Sequence, residues 1–121
     1  VKSFSYALVK LVPRIERDEC VNVGVILYCQ ALDFLDVGLH VDEARLLALD
    51  PAVDIDGVRG ALDAYRSGCT SGPSAELDLG KRFGWLTAPR STILRTGPVH
   101  TGLTADPAAD LARLVTRLVE I

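Results

Sequence analysis

The sequence predicts an α+β protein: an antiparallel sheet of about four strands, made of a three-strand N-terminal meander plus one later strand, packed against two or three helices. Three observations predict it. The first forty residues hold apolar runs with two-residue alternation and short breaks between them. After Val41 the apolar spacing changes to that of a helix. A further strand-like run, Thr92–Thr96, then precedes a second helical stretch, so strands and helices are grouped rather than strictly alternating. A chain of 121 residues is the size of a single domain, residues 1–121.

Phe4–Val12 combines aromatic and β-branched residues and is closed by Pro13, which predicts the first strand. Val21–Cys29 predicts the second, with Val21, Val23, Val25 and Leu27 on one face and Asn22, Gly24, Ile26 and Tyr28 on the other. A run this apolar on both faces belongs in the middle of a sheet. Gly24 within it marks a bulge or a close backbone approach. Phe34–Val41 alternates cleanly, Leu35, Val37, Leu39 and Val41 against Asp36, Gly38 and His40. The short connections make these three strands a meander. Asp42 caps a helix over Glu43–Leu49 that Asp50-Pro51 ends, and Asp54 caps a second with Ile55, Val58, Leu62 and Tyr65 on one stripe. Ser67–Glu76 is a polar loop. Phe83, Trp85 and Leu86 fill core space from a short turn or helix. Thr92–Thr96 is the fourth strand, broken by Gly97-Pro98. Asp106-Pro107 then starts a final helix, whose stripe is Leu111, Leu114, Val115 and Leu118 and whose outer face is Asp110, Arg113, Arg117 and Glu120.

Composition narrows the function classes. The net charge of −3 argues against a general nucleic-acid binder, which is usually basic. No apolar run approaches the ~20 residues of a membrane span, and Val1–Val12 lacks the long apolar region of a signal peptide. Cys20, Cys29 and Cys69 are odd in number and fit neither a disulfide framework nor a zinc site, so a reduced, cytoplasmic setting is expected. The chain has no phosphate-binding glycine loop, dinucleotide fingerprint, nucleophile elbow or paired-histidine metal helix. No cofactor and no metal are therefore expected; His40 and Asp36 share a strand face but would need a third ligand.

Charge is blocked along the chain. Asp33–Asp63 holds eight acids against Arg45 and Arg59, whereas Gly80–Ala105 holds Lys81, Arg82, Arg90 and Arg95 with no acid. Two polar clusters stand out. Arg14, Arg17, Glu19 and Asn22 flank the first connection, where they would either grip an anion through the Arg forks or fix the turn among themselves, the Asn22 amide bonding backbone in that turn. Arg90, Ser91 and His100 flank the fourth strand, where Arg90 would anchor an anion and Ser91 donate to it; the alternative is that they satisfy local backbone. Phe83 and Trp85 beside Lys81 and Arg82 have the composition of a base-stacking platform, but their spacing suits a core.

Two segments are distinctive together: Pro13-Arg14-Ile15-Glu16-Arg17 running into Glu19-Cys20-Val21-Asn22-Val23-Gly24-Val25, and Trp85-Leu86-Thr87-Ala88-Pro89-Arg90-Ser91-Thr92 continuing to Pro98-Val99-His100-Thr101-Gly102. In them the chain resembles the bacterial domain-of-unknown-function 3037 family, over nearly its whole length. The resemblance implies an aromatic residue where this chain has Cys20. It also implies a genomic setting beside a HipA-like kinase, hence an accessory role to such a partner.

The leading reading is a non-enzymatic, cytoplasmic protein-interaction module. It would engage a protein partner, with a HipA-like kinase as the named candidate, through the basic segment from Lys81 to Arg95 and through Arg14 and Arg17. The alternative is a small nucleotide- or nucleic-acid-processing enzyme, which requires Arg14, Glu19, Asn22, Arg90 and His100 to converge in one pocket. A third reading is homo-oligomerisation through an exposed strand edge.

Overall fold

Four aspartates organise the helices. In a computed structural model of the chain, which describes residues 1–70, 78–89 and 92–120, Asp42, Asp54, Asp78 and Asp106 each adopt extended backbone. Each carboxylate accepts the amide three residues on, from Arg45, Gly57, Lys81 and Ala109. They cap α1 (Glu43–Leu49), α2 (Ile55–Ser67), α3 (Leu79–Leu86) and α4 (Pro107–Leu118). A carboxylate there satisfies an orphan amide and faces the positive end of the helix dipole. The described residues thus hold four helices, not the two or three expected. The extra one is α3, whose cap at Asp78 follows directly on a polar stretch.

The strands are β1 (Lys2–Leu11), β2 (Val21–Cys29), β3 (Phe34–Leu39), β4 (Leu94–Thr96) and β5 (His100–Thr104). All pairings are antiparallel, in the order β3-β2-β1-β4, with β5 also on β1. The sheet is open and the predicted meander is present. The later strand continues past its break. Thr96 pairs with Val9 and His100 with Tyr6, so Gly97, Pro98 and Val99 face only Ala7 and Leu8. β4 and β5 are therefore two halves of one strand parted by a bulge, which Pro98 suits because it has no ladder donor to lose. Together they cover one whole edge of β1 and leave β1 central.

A second bulge corrects the face assignment on β2. Val9 pairs with Gly24 but Lys10 with Asn22, so Val23 is an extra residue. Downstream of it the side-chain alternation reverses. Val21, Val23 and Ile26 pack with Ala7, Val9, Leu11 and Val37 against Leu46, Val58, Leu62, Tyr65, Phe83 and Leu86 of α1–α3. Val25, Leu27 and Cys29 pack with Phe4 on the other side, against Leu111, Leu114, Val115 and Val119 at α4. Val21 and Val23 thus lie on the opposite face from Val25 and Leu27.

The sheet is therefore sandwiched, with α1–α3 on one face and α4 on the other. Both faces require close approach at a glycine: a Cβ on Gly38 would lie 2.6 Å from Val115 Cγ2, and one on Gly24 would lie 2.7 Å from the Gly38 carbonyl. Trp85 departs from expectation. Phe83 and Leu86 are buried, while Trp85 on the outer side of α3 is 42% exposed. Of the predicted polar loop, Ser67 closes α2 and Cys69 is buried; residues 71–77 lie outside the described residues.

Candidate functional site

α4 lies over β2 and β3. On that face of the sheet Phe4 of β1 is buried in the α4 cluster and Tyr6 and Leu8 pack half-buried against its edge, while Lys10 farther along is half-buried and His100 is exposed. Tyr6 and His100 are cross-strand partners, with ring centroids 5.3 Å apart. Four residues along β1, ~13 Å at the usual strand rise, Lys10 stands between Asn22 on β2 and Arg95 on β4. Like charges directly opposite one another destabilise a sheet, yet Lys10 and Arg95 are such a pair.

The surroundings of Arg95 show how that pairing is tolerated. Its Nε donates to the Thr92 carbonyl at 3.1 Å, and its Nη1 pairs with the Asp18 carboxylate. Asp18 sits at the end of a single 3-10 turn, Ile15–Arg17, in the β1–β2 connection, with φ 55°. Aspartate is among the few non-glycine residues that tolerate this left-handed conformation. Lys10 has no ion-pair partner among the described residues, and its ammonium lies beside Gly97. Lys10, Asp18, Cys20, Arg95, Gly97 and Pro98 line a cleft of about 300 Å3.

The other sequence-predicted residues fall elsewhere. Arg14 pairs with Glu16 at 2.9 Å and Arg17 pairs with Glu19, both on the surface of the connection. The Asn22 amide does bond to backbone, but to the Leu118 carbonyl at the end of α4, 3.1 Å away, rather than within its own turn. Lys81 and Arg82 are on α3, across the sheet from Arg95; Arg82 donates to the Cys69 carbonyl at 2.7 Å. The basic segment is thus divided between the two faces. Arg90 and Ser91 lie outside the described residues. Of the five residues the enzymatic reading would bring together, Arg14 and Glu19 are in separate local pairs, Asn22 caps a helix and His100 packs at a tilt against Tyr6.

Sequence reasoning passed over Lys10 and Asp18. Lys10 was discoverable in part, as the charge that follows Phe4, Tyr6 and Leu8 on one face of β1. Asp18 carries no local signal, since its partner is 77 residues away. Other groups on the surface are held by local bonds. The Thr104 hydroxyl, and then the Arg113 guanidinium, keep the Asp110 carboxyl below its usual range at the start of α4. No group of three metal-ligating side chains occurs among the described residues, and no helix there is long and apolar enough to cross a membrane.

No curated protein and no solved structure matches the chain. One family model does, over residues 6–119, and its description is "Protein of unknown function (DUF3037)". That match takes in every strand and helix described above, from within β1 to the end of α4, and the chain belongs to the DUF3037 family.

Proposed function

We propose that the protein is a non-enzymatic interaction module that docks an acidic segment of a partner protein on the sheet where β1 meets β4, with Lys10 and Arg95 as the charged anchors. One observation carries this reading: two cations are directly opposed on the sheet beside the edge of the α4 cluster, and Asp18 balances only one of them, so the fold gains nothing from their repulsion. A partner carboxylate between them would relieve it. The surface that Tyr6 and Leu8 leave exposed beside the α4 cluster supplies adjoining apolar area, and a rigid sheet offers it with little ordering cost on binding. Electrostatic steering then sets the rate of encounter and makes it sensitive to salt. The resemblance adds a HipA-like kinase as the first partner to try, in a bacterial cytoplasm that would keep the three free thiols reduced.

The test is co-purification of the tagged protein from its host at low and high salt, then titration of the recovered partner. Lys10→Glu with Arg95→Glu should weaken binding roughly tenfold or more, since like-charge juxtaposition at an interface is costly. The melting temperature should change little. Undiminished binding by the folded double variant removes this face from consideration.

A further inference from the structure

We infer that Asp18 is a built-in competitor for the anion seat at Arg95, and that a carboxylate-rich segment binds by displacing it. The inference rests on the Lys10–Arg95 face being the docking surface, and it concerns what occupies that surface before a partner arrives.

The β1–β2 connection carries five charged side chains, and four of them are settled locally. Arg14 pairs with Glu16, and Arg17 with Glu19. Asp18 alone reaches across to the sheet, where it meets Arg95. Its own side chain remains 76% exposed, against 24% for that of Arg95. The carboxylate therefore covers the guanidinium from the solvent side, in the position an incoming acid would take. An ion pair with one partner this exposed is weak and exchangeable.

Arg95 does not depend on Asp18 for its orientation. Its Nε is held by the Thr92 carbonyl, and its backbone is fixed in β4 opposite Lys10. Removing the Asp18 carboxylate should thus leave a seat that is formed but vacant. The cleft beside it, with Lys10 and Gly97 on its far side, has room for a carboxylate-bearing side chain. Asp18 balances one of the two cations and leaves the other unpaired among the described residues. The seat therefore keeps its attraction for anions while rejecting weak ones. An internal ligand that occupies a site for most of the time lowers the apparent affinity of any competitor by the fraction of time the site is free.

Asp18→Asn isolates this effect, because asparagine also tolerates the left-handed backbone at that position. Asp18→Gly is the second variant, equally compatible with a positive φ. Binding of a hexaglutamate peptide would be followed by NMR, using the Arg95 side-chain Nε–Hε signal and the backbone amides of β1 and β4. The expected result is that both variants bind it about three- to tenfold more tightly than the parent, and that Arg95→Gln abolishes binding in every background. If the parent and both variants bind equally, with Arg95 still required, Asp18 is not a competitor and the inference falls while the docking surface stands. If hexaglutamate moves no Arg95 signal in any variant, the docking surface falls too. If the variants gain affinity for a short oligothymidylate but not for hexaglutamate, the occupant is a nucleic acid and the acidic-peptide assignment is overturned.

Discussion

Asn22 shows how a residue can carry a recognisable motif and still serve the fold. Its amide donates to the Leu118 carbonyl, and Arg45 donates to the next one, Val119, at 3.2 Å. Two carbonyls that would be orphaned at the end of α4 are thereby satisfied from β2 and α1. Asn22→Ala should cost about 1 kcal/mol, seen in chemical denaturation, with no effect on partner binding. Motif and strand were both legible in the sequence; the hydrogen-bond partner, 96 residues away, was not. Cys69 offers a pH-dependent test. Burial first, then the nearby Asp36 carboxylate, pushes its thiol up to about 11 from an ordinary value of 9.0. An unfolded chain would lose that proton first. The contribution of Cys69 is therefore fully present below pH 9 and is lost as the pH rises towards 11, by roughly 2–3 kcal/mol. Cys69→Ala should flatten that part of the stability profile relative to the parent. Cys20, exposed in the cleft, should react with a thiol reagent well before Cys29 and Cys69, which are buried.

At the scale of elements, β2 was legible in its bounds and not in its faces. Val21–Cys29 is bounded by turn residues and uniformly apolar, which local composition reveals. The bulge at Val23 is set by pairing with β1, and one extra residue is enough to send the rest of the strand to the other side of the sheet. The pairing with β3 explains Gly24. With a Cβ it would meet backbone, the Gly38 carbonyl on β3, which cannot swing aside as a side-chain tip can. Gly24→Ala should destabilise by roughly 1–3 kcal/mol, measured by thermal melting. β4 and β5 were half legible: Gly97-Pro98 correctly signalled an interruption, but whether the strand resumes depends on whether β1 has edge left to pair. The candidate site follows the same pattern. Arg95 and His100 could be singled out from the charge block and the motif, whereas the opposed Lys10 and the covering Asp18 depend on strand register and on a turn that reaches back to the sheet.

Across the whole molecule, the first strand in the chain is the one the last strands need. β1 is flanked by β2 on one side and by β4 and β5 on the other, and α4 packs over β2 and β3. A fragment of residues 1–70 would leave Phe4, Val25, Leu27 and Cys29 without the α4 cover and β1 without its second neighbour. Such a fragment should show no cooperative thermal transition by circular dichroism. The fold class was legible at this scale because hydrophobic spacing is a local record of burial. The segregation of basic residues to two faces was not, because a charge block in sequence says nothing of which side of a sheet each member takes. The two apolar clusters share no side chain and are divided by the sheet itself. The layer formed by α4 is the thinner of the two. It holds its face with fewer buried side chains than the three-helix side, so the amides of α4 should exchange with solvent deuterium at a lower opening free energy than those of β1 and β2. The sheet is a partition between a side closed by three helices and a side closed by one, and the docking surface proposed above lies on the side of the one.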